Sequence, residues 1–172
     1  MNSEFLNLPN LESCKVAIIG MGYVGLPLAV NFANKKICTK TKNKLNREII
    51  GYDISQKRIE ELNCGIDVTR EVESFELKKS LSLKFTFEEK DINLADVYIV
   101  TVPTPIDEFN KPNLKALIQA SKLVGRAIKD RKSPIKPIVI FESTVFPGAT
   151  EEICIPEIES QSKLKINYDF YC

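Results

Sequence analysis

Gly20, Gly22 and Gly25 stand at the spacing G-x-G-x-x-G. The first glycine of such a set permits a tight turn, the second lets an anion approach the main chain, and the third lets a helix pack closely on the preceding strand. Further along, Ile49-Ile50-Gly51-Tyr52 leads into Asp53. A carboxylate at the end of a second strand can accept both hydroxyls of an adenosine ribose and repels a 2′-phosphate. Glycines and aspartate together read as a dinucleotide site, for NAD in preference to NADP. Arg58 lies one helical turn beyond and either reaches over the adenosine or faces solvent. Cysteines, which could act as nucleophiles, are five in number, and histidine is absent. Cys14, Cys38, Cys64, Cys154 and Cys172 form no C-x-x-C pair and no zinc spacing, so reduced thiols and no metal are expected. Without histidine the commonest general base is missing, and the chain is expected to supply binding more than proton transfer.

The elements that must hold these groups follow from pattern. Residues 16–19 have the length and β-branching of a buried strand, and residues 24–34 are apolar on most faces, as a helix packed on a sheet should be. Pro27 suits the first turn of that helix, where an N–H has no partner in any case. The helix start then offers free N–H groups and a positive dipole end to phosphates. A basic tract, residues 35–48, separates this unit from the strand 48–53 and sets Asp53 further from the glycines than the usual distance of about 20 residues. A solvated loop or a helix extension is expected there, because lengthening a surface loop costs little. Ser55 is the cap of a helix over 56–63, which Gly65 terminates.

Helix is expected again over 71–79, strand over 83–87 and 95–101. The run Val102-Pro103-Thr104-Pro105 then leaves the sheet, since proline cannot continue a ladder. This exit lies at the carboxyl end of a strand, where ligands bind in doubly wound folds. A polar loop over 107–113 precedes an amphipathic helix over 114–130 carrying Leu114, Leu117, Ile118, Ser121, Val124 and Ile128 on one face. A strand over 138–141 runs into Glu142-Ser143-Thr144, then a helix over 149–159 and a strand-like run over 163–168. Taken alone, Ser143 and Thr144 have an ordinary alternative, hydroxyls bonding nearby backbone in a turn. The alternation predicts an α/β Rossmann-type fold, a doubly wound, mainly parallel sheet with helices on both faces.

The 172 residues suit one domain, and 44% hydrophobic with 27% charged residues is an ordinary globular balance. A net charge of +1 gives no general reason to expect nucleic acid or an anionic membrane as partner. No apolar run approaches a membrane span, and the opening residues lack the basic start and apolar core of a signal peptide, so a cytoplasmic protein is expected. Residues 1–13 read as a polar lead-in and 14–172 as the domain itself.

Four separated stretches, GMGYVGLPLA at 20–29, GYDIS with Arg58, TVPTPID at 101–107 and ESTVFPGATEE at 142–152, resemble the UDP-glucose/GDP-mannose dehydrogenase family. ELNCGIDVTREV and the ESTVFPGATEE form look like its branch acting on UDP-N-acetylhexosamines. The resemblance implies an enzyme of surface-polysaccharide synthesis that oxidises the C6 alcohol of a UDP-sugar to a carboxylate with two NAD, and that works as a homodimer. It implies that Gly20, Gly22, Tyr23, Val24 and Gly25 hold the pyrophosphate, and Asp53 and Arg58 the adenosine ribose. Val102, Pro103, Thr104 and Pro105 would line the nicotinamide-side ribose. Thr144 would stand near the reacting carbon and its water as a supporting catalytic group, with Ser143 and the more variable Glu142 beside it.

In the family the nucleophilic cysteine lies in a later domain, in a motif that matches none of the five cysteines here. The chain is therefore expected to be a cofactor domain cut before its substrate domains, binding NAD without turnover. Two hydride transfers around a thiol-bound intermediate are the chemistry implied for the whole enzyme. A hydroxyacid or phosphogluconate dehydrogenase, a non-catalytic NAD sensor and a methyltransferase are the rival readings.

Overall fold

The computed structural model describes residues 7–80, 82–106, 108, 111–129, 131 and 133–172. Residues 1–6 of the lead-in, Asp107 with part of the loop over 107–113, and Asp130 lie outside the described residues. Five parallel strands, β1 (Lys15–Ile19), β2 (Glu48–Tyr52), β3 (Leu83–Thr86), β4 (Val97–Val100) and β5 (Ile138–Phe141), form one sheet in the order β3-β2-β1-β4-β5. β1 is central, with Ile19 opposite Tyr52 on one side and Val100 on the other. A strand covered on both faces must be apolar throughout, and Val16 to Ile19 are all buried.

Helices close both faces, as the alternating pattern requires. α1 (Gly25–Asn34), α2 (Gln56–Asn63) and α3 (Ser74–Lys79) cover one face, where Leu26, Ala29, Val30, Ile59 and Leu77 pack with Ile18 and Ile49. α4 (Lys115–Lys129) and α5 (Ile155–Ser162) cover the other, with Leu117, Val124, Ile128 and Ile158 packed around Tyr98. The polar groups carried into this core are satisfied. The Tyr98 hydroxyl donates to Ile92 O at 2.9 Å and Ser121 Oγ to Leu117 O at 2.9 Å.

The strands and helices expected from pattern are present to within a residue or two, with three corrections. The helix expected over 71–79 begins at Ser74, because residues 67–73 instead wrap the Asp67 carboxylate and Glu73 caps the shorter helix through a capping box with Glu76. The helix expected over 149–159 is a π-helical turn, Thr150–Cys154, followed by α5, which runs on to Ser162. The strand-like run over 163–168 is no strand. Lys163 and Asn167 take left-handed backbone angles, φ 65° and 66°, which break the extension, while Leu164 and Ile166 still pack on the α4–α5 core. Ile166 makes a single bridge to Phe170, and pairing with the sheet comes at Tyr171, whose N–H donates to Pro137 O at 2.9 Å and whose O accepts from Val139 N at 2.8 Å, along the outer side of β5.

The basic tract is a loop. Ile37 and Lys44 bridge across it, and Glu12 of the lead-in accepts from Thr41 Oγ1 at 2.8 Å and Asn43 Nδ2 at 2.9 Å.

Candidate dinucleotide-binding site

β1 and β4 are neighbours in the sheet, but their following segments leave toward opposite faces, which opens a crevice at the carboxyl ends of the strands. A cleft of about 580 Å³ lies there. Of the groups expected from sequence, Gly20, Gly22, Tyr23, Asp53, Val102 and Pro103 line it. Val24 and Gly25 lie at the start of α1, next to it in sequence.

The turn after β1 is built on two glycines with different constraints. Gly20 has φ +101°, which a side chain strongly disfavours. Gly25 has no room, since a Cβ there would stand 1.8 Å from Gly20 O and 2.4 Å from Thr101 Oγ1. Gly22 differs from both: nothing lies within 4 Å of the position its Cβ would take. That open space above Gly22, at the cleft wall, is a cradle for a ligand that approaches the main chain. α1 also starts at Val24 with no side-chain cap, whereas α2 is capped by Ser55, whose Oγ accepts from Arg58 N at 3.2 Å. The first N–H groups of α1 therefore have no side-chain acceptor at the cap, the arrangement that helix starts facing an anion use.

Asp53 directly follows β2 on the same cleft, with Oδ2 accepting from Met21 N and Oδ1 from Ser55 N, both at 2.8 Å. Each carboxylate oxygen is thereby fixed by one donor and keeps further acceptor capacity for ribose hydroxyls. These residues fit an adenine dinucleotide. The Arg58 alternatives are settled against solvent: the residue is 9% exposed. Its Nε donates to Met21 O at 2.9 Å and its Nη2 pairs with Asp67 Oδ1 at 2.7 Å. Nη1 is buried with no hydrogen-bond partner among the described residues.

The two later stretches meet at the far side. Ser143 Oγ donates to Val102 O and Thr104 Oγ1 to Thr144 O, each at 2.6 Å, so these two hydroxyls join the loops after β4 and β5, and that of Ser143 bonds across to the other loop and not within its own turn. Pro105 and Thr144 are exposed beside this junction, and Glu142 N continues the sheet by donating to Val100 O at 2.9 Å while its side chain faces solvent.

Four residues were not found by pattern. Thr101 directly follows β4, and its Oγ1 lies 3.0 Å from Ile19 O and 2.9 Å from Gly20 O, bracing the turn from below. A hydroxyl just past the end of the neighbouring strand was the available signal. Glu89 and Arg126 form a bidentate pair at the cleft rim, at 2.7 and 3.1 Å, and nothing local in sequence joins residues so far apart. Asp67 stands behind Arg58. Burial would raise its carboxyl, but hydrogen bonds from Thr69, Arg58 and Val72 outweigh that and hold it at about 2. Because the folded value lies below the ordinary 3.8, the stabilisation is complete above that pH and is lost as pH falls toward 2. Acid denaturation is expected to show it. Wild type should lose about 2 kcal/mol relative to Asp67→Asn between roughly pH 4 and pH 2, read from urea midpoints.

A parallel sheet in this order, with a glycine turn and a strand-end aspartate facing one cleft at the switch point, is a Rossmann-type dinucleotide-binding domain. The chain belongs to the UDP-glucose/GDP-mannose dehydrogenase family: residues 14–172 match that family's NAD binding domain. Its cofactor is NAD. The chain is 48% identical over 161 residues to a UDP-N-acetyl-D-glucosamine 6-dehydrogenase of Pseudomonas aeruginosa, covering 94% of this chain and 34% of that protein. A second protein of that name, from Salmonella typhi, is 43% identical over 161 residues, again 94% and 34%. Among solved structures, a ternary complex of GDP-mannose dehydrogenase from Pseudomonas aeruginosa superposes with a TM-score of 0.78 at 27% identity, over 90% of this chain and 34% of that one. The chain thus spans about a third of the length of the relatives it matches.

Proposed function

We propose that this chain is the cofactor domain of a nucleotide-sugar 6-dehydrogenase that oxidises a UDP-N-acetylhexosamine to the uronate in surface-polysaccharide synthesis. The observation that carries the reading is the uncovered main chain at Gly22 lining one cleft together with the Asp53 carboxylate, which bonds the neighbouring Met21 N–H. The substrate class rests on the relatives named UDP-N-acetyl-D-glucosamine 6-dehydrogenase.

The chain's own residues divide the work. Gly20, Gly22 and Gly25, with Tyr23 and Val24 between them, seat the pyrophosphate at the start of α1. Asp53 orients the adenosine ribose, and Arg58 supports that side. Val102, Pro103, Thr104 and Pro105 line the nicotinamide-side ribose, with Glu142, Ser143 and Thr144 beside it. The 2.6 Å bonds between these two loops keep that wall in place when substrate arrives. NAD, when bound, supplies the hydride acceptor. The nucleophile and substrate pocket belong to the rest of the enzyme, which is proposed to be a cytoplasmic homodimer with no nucleic-acid or membrane partner. No described helix is long and apolar enough to cross a membrane.

The test is NADH formed per sugar by the full-length enzyme. Two per UDP-N-acetylhexosamine and little from UDP-glucose is the expected result, while two from UDP-glucose or GDP-mannose would move the substrate and keep the family. Tighter binding of S-adenosylmethionine than of NAD by this chain would overturn the reading altogether.

A further inference from the structure

Asp67 follows the glycine that terminates α2 and sits two residues before Thr69, a combination that favours a side chain folding back on its own loop. Its side chain is 1% exposed. Oδ1 accepts from Thr69 N at 3.0 Å and Thr69 Oγ1 at 2.7 Å, and Oδ2 from Glu71 N at 2.8 Å and Val72 N at 3.1 Å. A loop could be organised this way by any buried acceptor. What sets Asp67 apart is its ion pair with the Arg58 side chain, itself only 10% exposed, whose Nε donates to the carbonyl of Met21.

Met21 lies between Gly20 and Gly22, and its N–H is held by Asp53. The central residue of the cofactor turn is thus gripped from two sides, at N–H by the ribose carboxylate and at C=O by a guanidinium that Asp67 anchors. The need for such a grip follows from composition. Glycine loses more conformational freedom on ordering than any other residue, and a turn left loose must be ordered when the ligand binds. A guanidinium without its counter-charge would not remain in place behind Met21, since breaking one side of a buried pair leaves an uncompensated charge.

We propose that Asp67, which does not line the cleft, is a positioning residue for NAD binding, acting through Arg58 to hold the Met21 carbonyl and so the Gly20–Gly22 turn. The proposal rests on the cofactor reading above.

The experiment uses the 172-residue chain with two readouts: NAD affinity by calorimetry at neutral pH, and amide exchange at Met21 and Gly22 by NMR without ligand. Asp67→Asn is expected to weaken NAD about tenfold and to speed exchange at both amides. Ser74→Ala is the control, because Ser74 Oγ bonds Gly65 O in the same loop without touching Asp67 or Arg58. It should melt lower but bind NAD and exchange at Met21 as wild type does. Arg58→Lys and the double variant close a cycle, in which the double is expected to bind no more weakly than Arg58→Lys alone. Where Asp67→Asn does not fold, Asp67→Glu, which keeps the charge but displaces the oxygens, is expected to show the same selective loss. Wild-type affinity and exchange in the Asp67 variants, equal losses in Ser74→Ala, or fully additive losses in the double variant would each overturn the proposal. Failure of the wild-type chain to bind NAD would sink the cofactor reading, and the ligand-free exchange comparison would still decide the positioning role.

Discussion

Gly25→Ala is expected to destabilise the chain by more than about 3 kcal/mol, beyond the usual range for an added methyl in a packed site. The added carbon would stand 1.8 Å from Gly20 O and 2.4 Å from Thr101 Oγ1. The first of these is main chain and cannot rotate away. Relief would require α1 to lift from β1, and β1 is the strand on which both halves of the sheet are hung. Alanine's better helix propensity returns only about 1 kcal/mol. Gly22→Ala, three residues earlier, is the informative counterpart. Its Cβ meets nothing, so stability should stay within about 0.5 kcal/mol while NAD affinity falls. Thermal melts of the two variants, with and without NAD, separate the glycine that the fold needs from the one that the ligand needs.

Asp53→Ala is expected to reduce NAD affinity about a hundredfold. In the function proposed above, Asp53 makes two charge-assisted bonds to ribose hydroxyls, and their loss at about 1.5 kcal/mol each gives about 3 kcal/mol. A further loss arises inside the protein, since Met21 N–H would lose its 2.8 Å acceptor and the turn its fixed position. The ratio of NAD to NADP affinity should fall as well, because the carboxylate that repels a 2′-phosphate is gone. Calorimetry with both dinucleotides checks this. An unchanged ratio would mean that Asp53 braces the turn without reading the ribose.

The parts of this site that were legible in sequence are those governed by local rules. Glycine spacing, a carboxylate at a strand end and prolines that force the chain out of the sheet all act over a few residues. The strands and helices that carry them were legible for the same reason. The parts that escaped depend on which loops meet. Arg58 is buried because a carboxylate nine positions later curls back onto it, and no helical or strand period encodes that. Glu89 meets Arg126 across the cleft rim only once the short 3-10 helix Glu89–Ile92 and α4 are stacked on the same sheet face. The run over 163–168 looked like a strand because Leu164 and Ile166 alternate with polar residues. Both do pack inward, but left-handed Asn167 turns the chain, so alternation here records burial and not extension.

The backbone of Tyr171 bears on how this domain behaves in concentrated solution. The outermost strand of a sheet presents unpaired N–H and C=O groups that can recruit a neighbouring molecule. Here the outer side of β5 is already engaged, with Pro137 O and Val139 N both bonded to Tyr171, and Phe170 fully buried beneath them. Two residues therefore act as a guard on that flank. A chain shortened to end before Phe170 would keep every residue of the cofactor cleft, yet it would bare a parallel edge beside an emptied apolar slot, and self-association at that flank would set the limit on its solubility.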